Sequence, residues 1–234
     1  MSALLTALIE RPPRSACDLP APDVKLVAGL DLARRSDHSA LVLLDVEADR
    51  LTVSAALRLP QAPLRQQFAL VEPHLAGLDL LVFDQSGLGD AAAELLPKTP
   101  PHMGVCLVGG DRPLVRSAQG DRLLVGKSWL IQRLGAAMRS GVLTVAENAP
   151  GRDLLRRELT QFVFKPGARG QLRLEAARGH DDLVIAAALA VLAIDLAALR
   201  GARLFGATLS PERQAAAVPA GGAYCRARPR GDFP

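Results

Sequence analysis

The sequence predicts an α/β protein built on one mixed sheet, with three antiparallel strands first, parallel strands after them, and helices flanking the sheet. Three observations predict this. Between residues 25 and 59, three short apolar runs (25–31, 39–46 and 51–59) are joined by turns too short for a crossover, which makes an antiparallel meander. From residue 63 onward, apolar runs alternate with helical periodicity and Gly turns, as parallel strands joined by helices do. Residues 178–200 then run through about five turns of Ala, Leu, Val and Ile interrupted only by Asp195, the pattern of a helix buried on most of its circumference.

Each element has a local reason. Residues 1–23 read as a short helix and a connector in which Pro12, Pro13, Pro20 and Pro22 block regular structure. The strand at 25–31 ends on Asp31 and is followed by a polar turn at 34–37. A Glu-Ala-Asp-Arg turn separates the second and third strands. Pro63 opens a helix to about residue 76, with Leu64, Phe68, Val71 and Leu75 on one face. A strand at 78–84 ends on Asp84, and a Gly turn and a helix at 90–96 follow it. The next strand is 103–108, ended by Gly109 and Gly110. Residues 111–124 read as an irregular polar loop. A helix at 128–139 closes on Gly141, a short extended piece spans 143–146, and a basic helix spans 152–161. Two strands, 162–165 and 171–175, flank Pro-Gly-Ala-Arg-Gly as a hairpin. The expected organisation is a connector at 1–23, a domain at 24–200 and a basic, disordered tail at 201–234.

Composition narrows the function classes. The net charge is +4, and residues 200–234 carry Arg200, Arg203, Arg213, Arg226, Arg228 and Arg230 against Glu212 and Asp232, which accounts for all of it. The body is neutral, so the pI of about 9.3 describes a basic end rather than a basic binding face. Cys17, Cys106 and Cys225 are odd in number and show no paired metal spacing, as expected of thiols in a reducing cytoplasm. The apolar stretch 3–9 lacks a basic flank and meets Glu-Arg-Pro-Pro at once, unlike a secretory signal. The run 183–199 is short of a bilayer span and contains Asp195, so no membrane partner is expected.

The chemistry sits at the element ends. His180, Asp181 and Asp182 open the long apolar helix, and acids there suit its dipole; one of the two Asp side chains serves as its N-cap on the plainest reading. A cap needs one acid, which leaves a second acid and a His. Asp31 and Asp84 each end a strand, where an Asp alone is usually a turn former. Taken together, four carboxylates on one sheet edge would repel one another, and a divalent cation is the usual compensation. Hard oxygen ligands favour magnesium or manganese. Two such ions about 3.5–4 Å apart can serve the attacking and leaving oxygens of a phosphodiester displacement.

Three motifs carry a resemblance. Gly29-Leu-Asp31-Leu-Ala33 with Ser36-Asp37-His38-Ser39-Ala40, Val82-Phe-Asp84-Gln-Ser-Gly87-Leu-Gly89, and Gly179-His-Asp-Asp-Leu-Val184 at the head of an Ala-rich helix resemble the acidic motifs of the nuclease domain of phage large terminase subunits. That family is ribonuclease H-like, and the resemblance covers about residues 25–199. It implies adjacent first and fourth strands, with Asp31 and Asp84 side by side. It also implies a two-metal-ion endodeoxyribonuclease that cuts double-stranded DNA with Mg2+ or Mn2+ in phage or prophage DNA packaging, in the bacterial host cytoplasm. Asp31, Asp84 and one or both of Asp181 and Asp182 are then metal ligands, and His180 is an auxiliary group near the scissile phosphate. Arg34, Arg35, Lys127, Arg152 and Arg156 are candidate DNA contacts. Solvated arginines and lysines are the commoner case, and 3% aromatic content gives no platform for stacked single strands.

Large terminases carry an ATPase motor before the nuclease, whereas about 24 residues precede the first strand here. Gly120 to Ser128 is not a phosphate-binding loop, because five residues separate Gly120 from Gly126 where that loop has four. The expected partners are therefore a separate ATPase motor, a small terminase or a portal protein. Three alternatives have distinct signatures. A Holliday-junction resolvase-like nuclease would dimerise and prefer branched DNA. An ATP-binding protein of the actin and sugar-kinase type would need Gly where Ala33 stands. A catalytically inactive ribonuclease H-like remnant would act as a binding module and bind no manganese.

Overall fold

A computed structural model describes residues 24–33, 38–86, 91–96, 100–118, 122–166, 172–176 and 180–204. The expectations for 1–23, the 34–37 turn, the 87–90 turn and 205–234 fall outside those residues.

The meander forms as its spacing predicts. β1 (Leu26–Asp31), β2 (Ala40–Val46) and β3 (Leu51–Arg58) pair antiparallel in sequence order. β4 (Leu80–Asp84) lies parallel to β1 on its other side, and β5 (His102–Val108) lies parallel to β4. Between β3 and β4, α1 (Leu64–Val71) stops short of the expected end and tightens into a 3-10 turn at Glu72–His74, because Pro73 has no N–H to continue the α ladder. α2 (Ala91–Leu95) connects β4 to β5.

Residues 111–124 differ from expectation. Instead of an irregular loop, β6 (Val115–Arg116) and β7 (Leu123–Gly126) pair antiparallel, and β7 lies parallel to β5. Leu123-Leu-Val-Gly126 runs directly into α3 (Lys127–Arg139) with no turn residue between them, so its apolar residues merge in sequence with the helix that follows. At the opposite edge β8 (Leu143–Val145) pairs parallel with β3, and the sheet order is β6-β7-β5-β4-β1-β2-β3-β8. α4 (Arg152–Gln161) leads into the β9–β10 hairpin (Phe162–Pro166 and Leu172–Ala176), and α5 (Asp182–Leu204) is the long apolar helix.

Period-two alternation divides the strands between two layers. Val27 of β1, Val42 of β2 and Leu80 and Val82 of β4 pack against α3 and α5 on one face, while Ala28, Leu30, Leu41, Leu81 and Phe83 meet Phe68 and Val71 of α1 on the other. α5 is buried from Asp182 to Ala197, and its Ala residues let it lie close on β1, β2 and β4. Each fully buried Leu, Ile or Val there contributes about 1.5–3 kcal/mol. Closest approach occurs at Gly29, where a Cβ would collide with the Ala186 carbonyl and the Ala190 amide. Asp195, the one charge in the run, is 1% exposed and is paired with Arg133 of α3 at 2.6 Å, whose guanidinium lies over Trp129. Burial raises its carboxyl to about 6, with Arg133 pulling the other way. Among the described residues no helix is long and apolar enough to cross a membrane.

Candidate functional site

The alternation that buries Val27 and Val82 also sets the acids. Asp31 shares a face with Val27 and Gly29, and Asp84 shares the same face with Leu80 and Val82, four and two residues behind it. Both lie one step beyond the Leu30–Phe83 pair at the carboxyl ends of adjacent parallel strands, the edge where open α/β sheets present their ligands. This is also the face on which α5 packs, and α5 begins at the same edge.

Three other acids act on Asp31 electrostatically. The Asp31 carboxyl is raised well above its usual range, first by burial, then by the charges of Asp84, Asp182 and Asp181, with Lys127 opposing. Asp84 is buried and also raised; hydrogen bonds from the Ser86 hydroxyl and the Ser86 and Leu107 amides draw it back, and the Ser86 amide stands 2.7 Å from Oδ1.

At the head of α5 the capping expectation fails. The Asp181 carbonyl accepts the Ile185 amide at 2.9 Å, so Asp181 occupies the N-cap position. Its side chain instead accepts a hydrogen bond from Lys127 Nζ at 2.5 Å. The Leu183 and Val184 amides donate to Oε2 of Glu158, from α4, at 2.9 and 3.4 Å. Oε1 of Glu158 pairs with Arg58 at the end of β3. The cap is thus supplied from another helix, and the Asp181 side chain is turned to Lys127 instead.

Asp182 is buried, and His180 Nδ1 lies 3.6 Å from its Oδ2. The exposed His180 ring stands edge-on to His38 with centroids 5.3 Å apart, and His38 Nδ1 is 3.0 Å from the Leu59 carbonyl. Lys127 reaches the acids because β7, the strand that sequence reasoning missed, runs beside β5 and delivers the start of α3 to the carboxyl edge. Arg34 and Arg35 lie outside the described residues. Arg152 is half-buried and donates to the Glu147 carbonyl at 3.3 Å, and Arg156 is exposed on α4; among the described residues neither shares a hydrogen bond or ion pair with the four acids. No group of three or more His, Cys, Asp or Glu among the described residues is gathered tightly enough to hold a metal ion.

Sequence reasoning missed Glu158 and Arg58, and gave His38 no role beyond its place in the first motif. Glu158 did leave a signal, since it lies three and four residues from Leu155 and Leu154, on the apolar stripe of an otherwise basic helix. Arg58 left none.

No protein-family model and no curated protein matches the chain. Solved structures do. The large terminase nuclease of the thermophilic phage G20c with bound magnesium superposes with a TM-score of 0.55 at 24% identity, covering 82% of this chain and 97% of that one. The cobalt-bound form gives 0.54 at 25% identity, covering 81% and 95%. The nuclease domain of the Thermus phage P74-26 large terminase gives 0.53 at 21% identity, covering 80% and 92%. The chain therefore has the fold of phage large-terminase nuclease domains, the ribonuclease H-like sheet that its three acidic motifs resemble.

Proposed function

We propose that this chain is a metal-dependent endonuclease that cuts double-stranded DNA in phage or prophage packaging. The observation that carries the reading is the convergence of Asp31, Asp84, Asp181 and Asp182 from three elements on one sheet edge, close enough to drive up the Asp31 carboxyl. The donor set suits a hard divalent cation. Among the described residues it offers carboxylate oxygens, and Lys127 opposes their excess negative charge. Asp31, Asp84 and one or both of Asp181 and Asp182 would hold magnesium or manganese, and similar nuclease domains are seen with magnesium and cobalt. When bound, two such ions supply Lewis-acid stabilisation to the attacking and leaving oxygens of a phosphodiester.

The chain's own groups have separate parts in this reading. The Ser86 and Leu107 donors hold Asp84 in place and favour its charged form. His180 stands exposed beside Asp182, where it exchanges a proton with the DNA or with water at the scissile phosphate. Lys127, 41% exposed in its side chain, can exchange the Asp181 carboxylate for a phosphate oxygen. Arg34, Arg35, Arg152 and Arg156 contact the duplex backbone. An ATPase motor, with small terminase or portal protein, delivers the DNA in the host cytoplasm.

One observation favours a second reading, a catalytically silent binding module: the ion pair of Lys127 with Asp181, in a site where no metal-holding group is gathered among the described residues. Incubation of supercoiled plasmid with Mn2+, Mg2+ or chelator separates the two. The nuclease reading predicts nicked and linear products only with metal. Intact plasmid in every condition, with no Mn2+ bound in calorimetry, would favour the binding module.

A further inference from the structure

The first amides of an α-helix have no partner within the helix, and an adjacent Asp, Ser or Thr normally accepts them. α5 has two acids at its head, yet its Leu183 and Val184 amides go to Glu158, 25 and 26 residues earlier in the chain. Glu158 is 3% exposed, and Arg58 of β3 holds its other oxygen. The arrangement is costly as electrostatics. Burial raises the Glu158 carboxyl, and so does the charge of Asp182, against Arg58 and the Leu183 amide. A fifth carboxylate beside four others has to be explained by what it allows. With both amides already satisfied, Asp181 can aim its carboxylate at Lys127 and toward the sheet edge, and Asp182 can face the interior near Asp31. A cap made by either Asp would turn that carboxylate back onto the helix's own backbone.

We propose that Glu158, held by Arg58, is a positioning residue for the acid site, capping α5 from outside so that the acids at its head are presented to the sheet edge where a divalent cation would sit. The proposal rests on the metal-dependent nuclease reading. It makes Arg58 of β3 and Glu158 of α4 part of the site without touching substrate.

The test is Mn2+ titration calorimetry, with Mn2+-dependent plasmid cleavage beside it, on the wild-type chain, Glu158→Ala, Glu158→Gln and Val53→Ala. Val53 is a buried β3 residue that serves as the control for lost stability. In Glu158→Ala an Asp takes over the cap, so Mn2+ affinity falls about 10–100-fold, as for other outer-shell changes, and half-saturation of cleavage rises in step. Glu158→Gln retains an acceptor for the two amides and restores most of that loss, while Val53→Ala lowers the melting temperature and leaves Mn2+ affinity alone. Wild-type affinity in Glu158→Ala, or a Gln variant as impaired as the Ala variant, overturns the proposal. Should Glu158→Ala fail to fold, Glu158→Asp withdraws the carboxylate by one methylene and carries the same expectation of weakened Mn2+, with wild-type affinity again overturning it. A wild-type chain that binds no Mn2+ overturns the nuclease reading itself, and is distinguishable from all of these.

Discussion

Asp31 carries the charge imbalance of the site. Its carboxyl is raised by burial and by three neighbouring acids, so in the folded chain it releases its proton less readily than in the unfolded chain. A group shifted in this direction adds its full stability below the unfolded value, near 3.8, and loses it as pH rises through the folded one. Asp31→Asn removes that loss. Without metal, the variant should melt above the wild type at pH 8, with the gap widening from about pH 4 upward, as differential scanning calorimetry over a pH series would show. It should also lose cleavage by more than the roughly 10–100-fold that an outer-shell change costs. A variant that melts below the wild type at pH 8, or that cleaves at its rate, would misplace Asp31. The strand-end acids were legible because an acid closing a buried apolar run is conspicuous in one dimension. The true cap of α5 was not, because Glu158 and Leu183 are joined only by folding, and an Asp beside a helix start is the simpler reading.

Among the elements, α5 positions most of the site, and Gly29 sets how closely it lies on β1. The missing side chain leaves room for the Ala186 carbonyl and the Ala190 amide. Gly29→Ala should push the helix off the strand, and with it Asp181 and Asp182 away from Asp31. We expect a loss of about 1–3 kcal/mol in urea unfolding, as for overpacked cores, and weaker Mn2+ binding. Unfolding at the wild-type midpoint would show that the contact is slack. A second tie, Arg133 to Asp195, joins α3 to α5, so that Lys127 and Asp181 start from helices already fixed to each other. Element types were legible wherever periodicity persisted over a full strand or helix. β7 was not, since four residues fused to a helix have no period of their own, and neither was the parallel pairing of β8 with β3, since the partner of an edge strand is chosen by space rather than by neighbours in sequence.

Taken whole, the molecule brings its chemistry together through alternation. One face of β1 and β4 is committed to α3 and α5, and the acids that end those two strands inherit the same face, so a core pattern also assembles a charged edge. That edge lies at the carboxyl ends of parallel strands, opposite the start of a helix whose dipole favours anions. Residues 200–234 account for the net charge, and the body around the site is neutral, so cation binding depends on the local acids rather than on a general field. The claim on which the account depends is that this edge holds divalent cations. Anomalous scattering from a crystal of the chain soaked in Mn2+ tests it most directly. The account predicts anomalous peaks bounded by Asp31, Asp84 and the head of α5, with Lys127 drawn away from Asp181. A fully soaked crystal with no peak at that edge, and Lys127 still paired with Asp181, would contradict it.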